Sequence, residues 1–182
     1  DVLYDHGAIK TKNDAYLRFL KTAKRDGKYK ALKAGDRIEF KGGLVMDVLS
    51  PSPDAISGNS NNNSLVVKLT YGKVKVLLTG DIESEVERVL LDSGIDLSAD
   101  ILKIAHHGSR SSSATEFLKR VGAKTAIISA GRNNSFGHPA DETLRRLENA
   151  NLKIYRTDIS GEIVMTTDGS MVEWMTYREN AR

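Results

Sequence analysis

The sequence contains no cysteine, which excludes disulfide bonds and thiolate ligands for a metal ion. Aromatic residues make up only 6% of its 182 residues, and histidine occurs four times. No apolar run approaches the roughly 20 residues that span a bilayer, and no charged start followed by an apolar core marks a signal peptide. Any metal ion must therefore be held by histidine and carboxylate side chains.

Charge of one sign is not in large excess either. The formal net charge is +3, and much of it comes from a lysine-rich first third between Lys10 and Lys41. A bias this mild does not establish a nucleic-acid partner, and the simplest interpretation is a solvated face. The apolar fraction of 40% is that of a folded globular protein, and the length predicts one domain over residues 1–182.

Hydrophobic periodicity predicts strands that alternate with helices, with hairpins towards both ends of the chain. Helices are expected over Asn13–Arg25, Ser84–Ser93, Ser113–Val121 and Pro139–Asn149. Strands are expected at Tyr29–Leu32, Arg37–Phe40, Leu44–Leu49, Leu65–Tyr71, Val74–Thr79, Ile101–Ala105, Thr125–Ser129, Lys153–Arg156, Glu162–Thr166 and Met171–Tyr177. The polar stretch from Pro51 to Asn63 has the composition of an irregular loop. This pattern indicates an α/β protein with mixed sheets covered by helices.

Three of the four histidines, and one aspartate, follow apolar strands or lie in the loops after them: Asp81, His106, His107 and His138. Sites of α/β proteins form beyond the carboxyl ends of strands, where several strands deliver side chains to one crevice. Carboxylate and imidazole together suit zinc or manganese. Simpler alternatives are a helix N-cap for Asp81, one core-facing imidazole in the His pair, and loop packing for His138.

Two polar loops are candidates for binding an anion. The first runs from Ser109 to Ser113 around Arg110, and the second, Gly131 to Gly137, contains Arg132. Hydroxyl groups and guanidinium groups can hold a phosphate. The alternatives are a flexible connector that ends in a helix cap for the first loop, and a simple change of chain direction for the second.

Four motifs in this order resemble those of one family: Asn61-Asn62-Asn63-Ser64-Leu65-Val66-Val67, Leu77-Leu78-Thr79-Gly80-Asp81, Ile104-Ala105-His106-His107-Gly108-Ser109 and Phe136-Gly137-His138-Pro139. They are similar to the metallo-β-lactamase-fold hydrolase domain at the carboxy end of ComEC-type DNA-internalisation competence proteins and in free-standing relatives. The resemblance covers residues 1–169. It implies a four-layer αβ/βα sandwich with one or two divalent metal ions, of which zinc is the first expectation and manganese the second.

The resemblance also implies roles for individual residues. Asp81 corresponds to the metal-bridging aspartate, and His107 is the expected ligand of the His pair because it precedes a glycine. His106 is then the catalytic neighbour that contacts the substrate or donates a proton to the leaving group. Substrate binding is expected for the remaining candidates, Ser109, Arg132 and His138.

Two departures from the family pattern matter. The metal motif His-X-His-X-Asp-His occurs nowhere in the chain. The resemblance places it upstream of Asp1, so the amino-terminal part of the sandwich is expected to be missing, and that portion is an expected partner. Asn61 to Asn63 stand about where many relatives carry a further histidine, and amide oxygens bind zinc poorly. The chain alone is therefore expected to bind metal weakly and to be inactive.

The function implied is part of a metal-dependent hydrolase that acts on phosphodiesters, with DNA as the first substrate choice. A small phosphoester is the alternative within this class. A non-catalytic nucleic-acid or surface-binding module, or an inactive fragment, is the alternative outside it. A ComEC-like protein is expected to be extracellular or attached to a membrane through a longer parent, and any other relative cytoplasmic or secreted.

Overall fold

A computed structural model describes residues 2–7, 13–52 and 58–178. Its helices are α1 Asp14–Arg25, α2 Ser84–Asp92, α3 Thr115–Val121, α4 Asp141–Asn149 and α5 Thr157–Ser160. Its strands are β1 Leu3–Asp5, β2 Tyr29–Ala31, β3 Arg37–Glu39, β4 Val45–Ser50, β5 Val66–Tyr71, β6 Val74–Leu78, β7 Ile101–Lys103, β8 Thr125–Ile128, β9 Lys153–Arg156, β10 Ile163–Thr167 and β11 Val172–Thr176. Short 3-10 turns form at Asn61–Asn63 and Ala105–Gly108.

The predicted helices and strands are confirmed, with boundaries that shift by one or two residues. Helix α4 begins at Asp141 rather than at Pro139, and β7 ends at Lys103 because the chain turns at Ala105. Helix α5 and the turn within the Asn61–Asn63 segment were not predicted. Part of the predicted polar loop, residues 53–57, lies outside the described residues.

The central element is a seven-stranded mixed sheet of order β3-β4-β5-β6-β7-β8-β9. Strands β3 to β6 pair antiparallel, and β5 and β6 form the predicted hairpin. Strands β6 to β9 pair parallel, with Leu78 opposite Lys103 and Lys103 opposite Ile127. The carboxyl ends of β6, β7 and β8 therefore meet at one edge of the sheet.

Apolar side chains are buried on both faces of this sheet. On one face, residues of β6, β7 and β8 pack with α2, α3 and α4, as with Leu77, Leu102 and Leu147. On the other face, Val48 and Val67 pack with residues of β1 and of the loop after β2. Strands β1 and β2 form a small parallel sheet, which α1 contacts in turn. The elements therefore stack in the order helices, sheet, sheet and helix, which is the expected αβ/βα sandwich.

The hairpin of β10 and β11 packs against the seven-stranded sheet. The ring of Trp174 stacks on Tyr155 of β9, with centroids 4.6 Å apart. The turn of this hairpin contacts the turn between β5 and β6. There, the backbone N–H of Lys73 donates to the carbonyl of Gly169 over 2.6 Å. A side chain at Gly72 would place Cβ 2.4 Å from the same carbonyl oxygen, so this close approach requires glycine. Among the described helices, none is long and apolar enough to cross a membrane.

Candidate metal and substrate site

Three neighbouring parallel strands bring the predicted site residues to one edge of the sheet. Asp81 follows β6, the pair His106 and His107 follows β7, and Ser129 follows β8. The backbone N–H of His106 donates to the carbonyl of Gly80 over 3.0 Å and joins the first two loops. The clustering expected from the sequence arises because parallel strands end together.

The imidazole of His107 has a defined orientation. Its Nδ1 lies 2.6 Å from the carbonyl oxygen of Ser129. Because a carbonyl oxygen only accepts hydrogen bonds, Nδ1 carries the proton and Nε2 holds a lone pair. That Nε2 lies 3.6 Å from Oδ1 of Asp81, and the two side chains are 48% and 42% exposed. Two electron-rich atoms therefore face each other at an accessible edge.

This spacing suits two ligands of one ion. Donor atoms about 2.0–2.1 Å from a tetrahedral zinc ion are separated by roughly 3.3–3.4 Å. The 3.6 Å between Nε2 of His107 and Oδ1 of Asp81 is close to that value. However, no group of three or more histidine and carboxylate side chains is arranged around an ion position within residues 2–7, 13–52 and 58–178. Asp81 and His107 thus fit part of a metal site.

His106, the other histidine of the pair, faces Glu83. Nδ1 of His106 lies 3.6 Å from Oε1 of Glu83 rather than beside Asp81. The Nδ1 atoms of His106 and His138 are buried and have no hydrogen-bond partner within the described part of the chain. Their rings meet edge to face with centroids 5.6 Å apart. Burial lowers the pKa of His138, and the imidazoles of His106 and His107 act in the same direction.

The His pair lies in a strained turn. His106 and His107 have φ values of 48° and 55°, in the left-handed region that disfavours side chains. Each costs about 1–3 kcal/mol unless the surroundings enforce it. Gly108, with φ of 84°, packs so closely that an added Cβ would lie 2.6 Å from Cβ of Pro139. The backbone N–H of Ala140 also donates to the Gly108 carbonyl over 2.9 Å, which fixes the turn against the start of α4.

The Ser109–Ser113 loop is anchored rather than flexible. Glu87 of α2 is 1% exposed, and its carboxylate accepts hydrogen bonds from the N–H groups of Ser113 and Ala114 at the start of α3. Arg146 of α4 donates to the carbonyls of Ser112 and Ser113. Burial raises the pKa of Glu87, and the two N–H groups oppose that shift. The N–H groups that would receive a phosphate at this helix are thus already bonded to a carboxylate.

The side chains of Ser109 and Arg132 bond to groups other than the candidate ligands. Ser109 is 7% exposed, and its hydroxyl shares a 3.1 Å hydrogen bond with that of Ser111. Arg132 is exposed, and its Nε donates to the Asp158 carbonyl over 3.3 Å. Neither residue lines the cleft beside His107. The structure therefore brings together Asp81, His106, His107 and His138 but leaves Ser109 inside its own loop.

A cleft of about 360 Å³ opens beside His107. Seven residues line it: His107, Ser129, Ala130, Gly131, Asn134, Phe136 and His138. Its volume is within the range of about 300–1,000 Å³ that small-molecule sites occupy. Phe136 stacks on His138 with centroids 6.0 Å apart, and 80% of Phe136 is exposed. Phe136 belongs to the motif Phe136-Gly137-His138-Pro139, but the sequence gives no sign that its ring is exposed.

Lys103 is a second residue that the sequence interpretation missed. It ends β7, and its ammonium donates to the carbonyl of Ile104 over 2.9 Å. Burial lowers the pKa of Lys103, and the carboxylate of Asp81 opposes that shift. A half-buried cation therefore lies within electrostatic reach of the candidate ligand. A lysine inside an otherwise apolar strand was the available signal.

The asparagine segment supports the acidic loop after Asp81. The Asn62 side chain accepts from the N–H of Glu83 over 3.0 Å and donates to Glu85 over 3.0 Å. Asn61 donates to Oε1 of Glu83 over 3.4 Å, the same oxygen that faces His106. These amides hold carboxylates in place next to the His pair.

The chain belongs to the Metallo-beta-lactamase superfamily, which it matches over residues 6–132. Its relatives include competence proteins. It is 39% identical to ComE operon protein 3 of Bacillus subtilis over 148 residues. The match covers 80% of this chain and 19% of the relative. It is 32% identical over 122 residues to competence protein ComA of Neisseria gonorrhoeae, covering 66% of this chain and 18% of the relative.

A third relative is recombination protein 2 of Haemophilus influenzae, 33% identical over 121 residues, with 66% of this chain and 15% of that protein covered. The chain thus spans at most about a fifth of the length of these curated relatives. The resemblance to ComEC-like competence proteins that the motifs indicated is confirmed, as is the α/β fold with mixed sheets.

Proposed function

We propose that Asp81 and His107 are two ligands of a divalent metal ion, zinc or manganese, in a hydrolase that cleaves phosphodiesters of DNA. The observation that carries the proposal is the 3.6 Å approach of Nε2 of His107 to Oδ1 of Asp81, with the His107 proton held on the opposite nitrogen by Ser129. The names of the relatives, which include competence and recombination proteins, support nucleic acid as the substrate class.

The bound ion would supply a nucleophilic hydroxide near neutral pH and would stabilise charge on the phosphoryl oxygens. The residues of this chain have the tasks of orientation and proton transfer. Ser129 fixes the imidazole of His107, and the Asn61 and Asn62 amides fix Glu83 beside His106. His106, placed between Glu83 and His138, is assigned the transfer of a proton to the leaving-group oxygen. His138 and the exposed guanidinium of Arg132 are assigned contacts with the substrate.

Two protein ligands hold an ion only weakly, because affinity depends on the number and preorganisation of ligands. Further ligands must therefore join Asp81 and His107 for tight binding and turnover. We accordingly propose that this chain alone binds zinc weakly and does not turn over substrate.

The test is hydrolysis of a labelled DNA strand and of bis(p-nitrophenyl) phosphate by the full-length natural protein with zinc or manganese. Asp81→Asn and His107→Gln should each lower kcat/KM by about 100-fold or more, because each removes one ligand from the ion that activates water. Asp92→Asn, which removes an exposed carboxylate at the end of α2, is the matched control. Unchanged activity in Asp81→Asn would overturn the proposal.

A second candidate is a nucleic-acid-binding module without catalysis. It is favoured by the finding that no group of three candidate ligands surrounds an ion position in the described ranges. In that case DNA binding persists in chelator, weakens steeply with salt because phosphate contacts release counterions, and is accompanied by no hydrolysis with any metal. Metal-dependent hydrolysis that Asp81→Asn abolishes rules this candidate out.

A further inference from the structure

We infer that Phe136 is a stacking platform for an unpaired nucleobase next to the Asp81–His107 pair. This inference rests on the proposed function for its substrate class, nucleic acid. Phe136 is 80% exposed, and it lines the same cleft as His107. One face of its ring lies on His138, at an interplanar angle of 23°. A large exposed aromatic ring with one face covered is available for stacking on the other.

Ring contacts connect the candidate metal site to Phe136. His107 and His106 have centroids 6.4 Å apart, and His106 and His138 are 5.6 Å apart. Phe136 follows at 6.0 Å from His138. Because Phe136 and His107 line the same cleft, a base stacked on Phe136 would belong to a nucleotide close to the bond that is cleaved.

The loop that presents Phe136 is held rigidly by one side chain. The Oδ1 atom of Asn134 accepts hydrogen bonds from the N–H groups of Phe136 and His138, over 3.2 Å and 3.0 Å. Its Nδ2 donates to the carbonyls of Gly131 and His138, over 2.9 Å and 2.5 Å. The backbone beneath Phe136 is thus ordered before any substrate arrives, which reduces the entropy lost on binding.

The chemistry of the cleft favours a nucleotide over a purely apolar ligand. Its lining includes Ser129, Asn134 and the imidazoles of His107 and His138, so its walls carry polar groups as well as apolar ones. Arg132, in the same loop, uses Nε for the Asp158 carbonyl and keeps an exposed guanidinium for a phosphate. A base inside a duplex cannot stack on Phe136, because both of its faces are covered by its neighbours. The substrate class is therefore single-stranded nucleic acid or a frayed end.

The experiment is a binding titration in chelator, so that it does not depend on a metal ion. Fluorescence anisotropy measures the Kd of a labelled six-nucleotide oligothymidylate and of an abasic oligomer of equal length at low salt. The variants are Phe136→Leu and Phe136→Trp, with Phe40→Leu as control. Phe40 is also exposed, but it follows β3 at the opposite edge of the seven-stranded sheet from β8. Circular dichroism establishes that each variant folds.

Phe136→Leu should weaken binding of oligothymidylate by about 5- to 150-fold, the loss of one aromatic stacking contact, and should leave the abasic oligomer unaffected. Phe136→Trp should bind within about threefold of the wild type because it restores a π face. Three results would overturn the inference: wild-type affinity in Phe136→Leu, equal losses for both oligomers, or no oligothymidylate binding by the wild type. The hydrolysis assay tests the proposed function separately. Unchanged hydrolysis in Asp81→Asn would overturn that proposal without bearing on the binding result.

Discussion

Nε2 of His107 lies 3.6 Å from Oδ1 of Asp81, and the hydrogen that could join them is held on Nδ1 by the carbonyl of Ser129. Two lone-pair donors in that arrangement repel each other unless a cation lies between them. The carbonyl of Ser129 therefore does more than position a ring, because it selects the tautomer whose lone pair is on Nε2, the nitrogen that faces Asp81.

The tautomer of His107 can be measured directly. Long-range proton–nitrogen NMR on nitrogen-15-labelled protein should show neutral His107 with a protonated Nδ1 and an unprotonated Nε2. The expected cause is the 2.6 Å hydrogen bond to Ser129. A spectrum in which Nε2 carries the proton of neutral His107 contradicts this assignment.

Gly108→Ala should destabilise the protein by about 2–4 kcal/mol, because it combines a strained backbone with a clash. Gly108 has φ of +84°, and an added Cβ would lie 2.6 Å from Cβ of Pro139. Gly94→Ala is the control, since Gly94 has φ of +70° but no atom within 4 Å of an added Cβ. Its expected cost is only about 1 kcal/mol. Urea denaturation measures both, and equal losses would show that the contact with Pro139 is unimportant.

Glu87→Ala should lower the free energy of unfolding by about 2–4 kcal/mol. The substitution leaves two backbone N–H groups, of Ser113 and Ala114, without their acceptor in a buried region. Glu148→Ala on the exposed side of α4 is the control and should change stability by less than about 0.5 kcal/mol. Chemical denaturation measures the difference, and a loss in Glu87→Ala no larger than that of the control counts against the capping role.

Asp96→Asn should reduce stability at neutral pH and flatten its decline in acid. Hydrogen bonds from Ser98 and from the Lys68 ammonium hold the pKa of Asp96 far below its ordinary value of 3.8. The folded state therefore binds fewer protons, so the contribution of Asp96 is present above pH 3.8 and is lost as the pH falls towards the lower folded pKa.

The size of that effect is limited by solvent. The Asp96 side chain is 62% exposed, so screening keeps the loss at neutral pH to about 1 kcal/mol or less. Thermal unfolding between pH 7 and pH 2 compares Asp96→Asn with the wild type. If the two stability curves stay parallel across the acid range, the Lys68–Asp96 interaction does not contribute as described.

Much of this arrangement follows from local sequence patterns. Periodicity and turn signals predicted the strands before Asp81 and before His106, and parallel strands must deliver the residues after them to one edge. That pattern predicted that Asp81 and the His pair lie at strand ends, and the family resemblance singled out His107. The four motifs added the family, which neither periodicity nor composition can identify.

The remaining features depend on contacts between distant parts of the chain. The carboxylate of Glu87 caps a helix that begins 28 residues later, so its role as a cap leaves no trace in the local pattern. The carbonyl that orients His107 belongs to Ser129, and backbone atoms carry no sequence signal. The exposure of Phe136 likewise depends on how Asn134 folds its loop. The sequence indicated a substrate role for Ser109 because it does not show that Ser109 is buried. That burial is decided by the packing of α2 and α4.

The central claim is that Asp81 and His107 share one divalent ion, and zinc-edge anomalous diffraction tests it most directly. Crystals of the protein soaked in zinc, beside crystals of Asp81→Asn, give difference maps in which the ion position is measured. The account predicts a wild-type peak about 2.0–2.2 Å from both Nε2 of His107 and Oδ1 of Asp81, and its loss in the variant. Zinc bound only elsewhere, or an unchanged peak in Asp81→Asn, would contradict it.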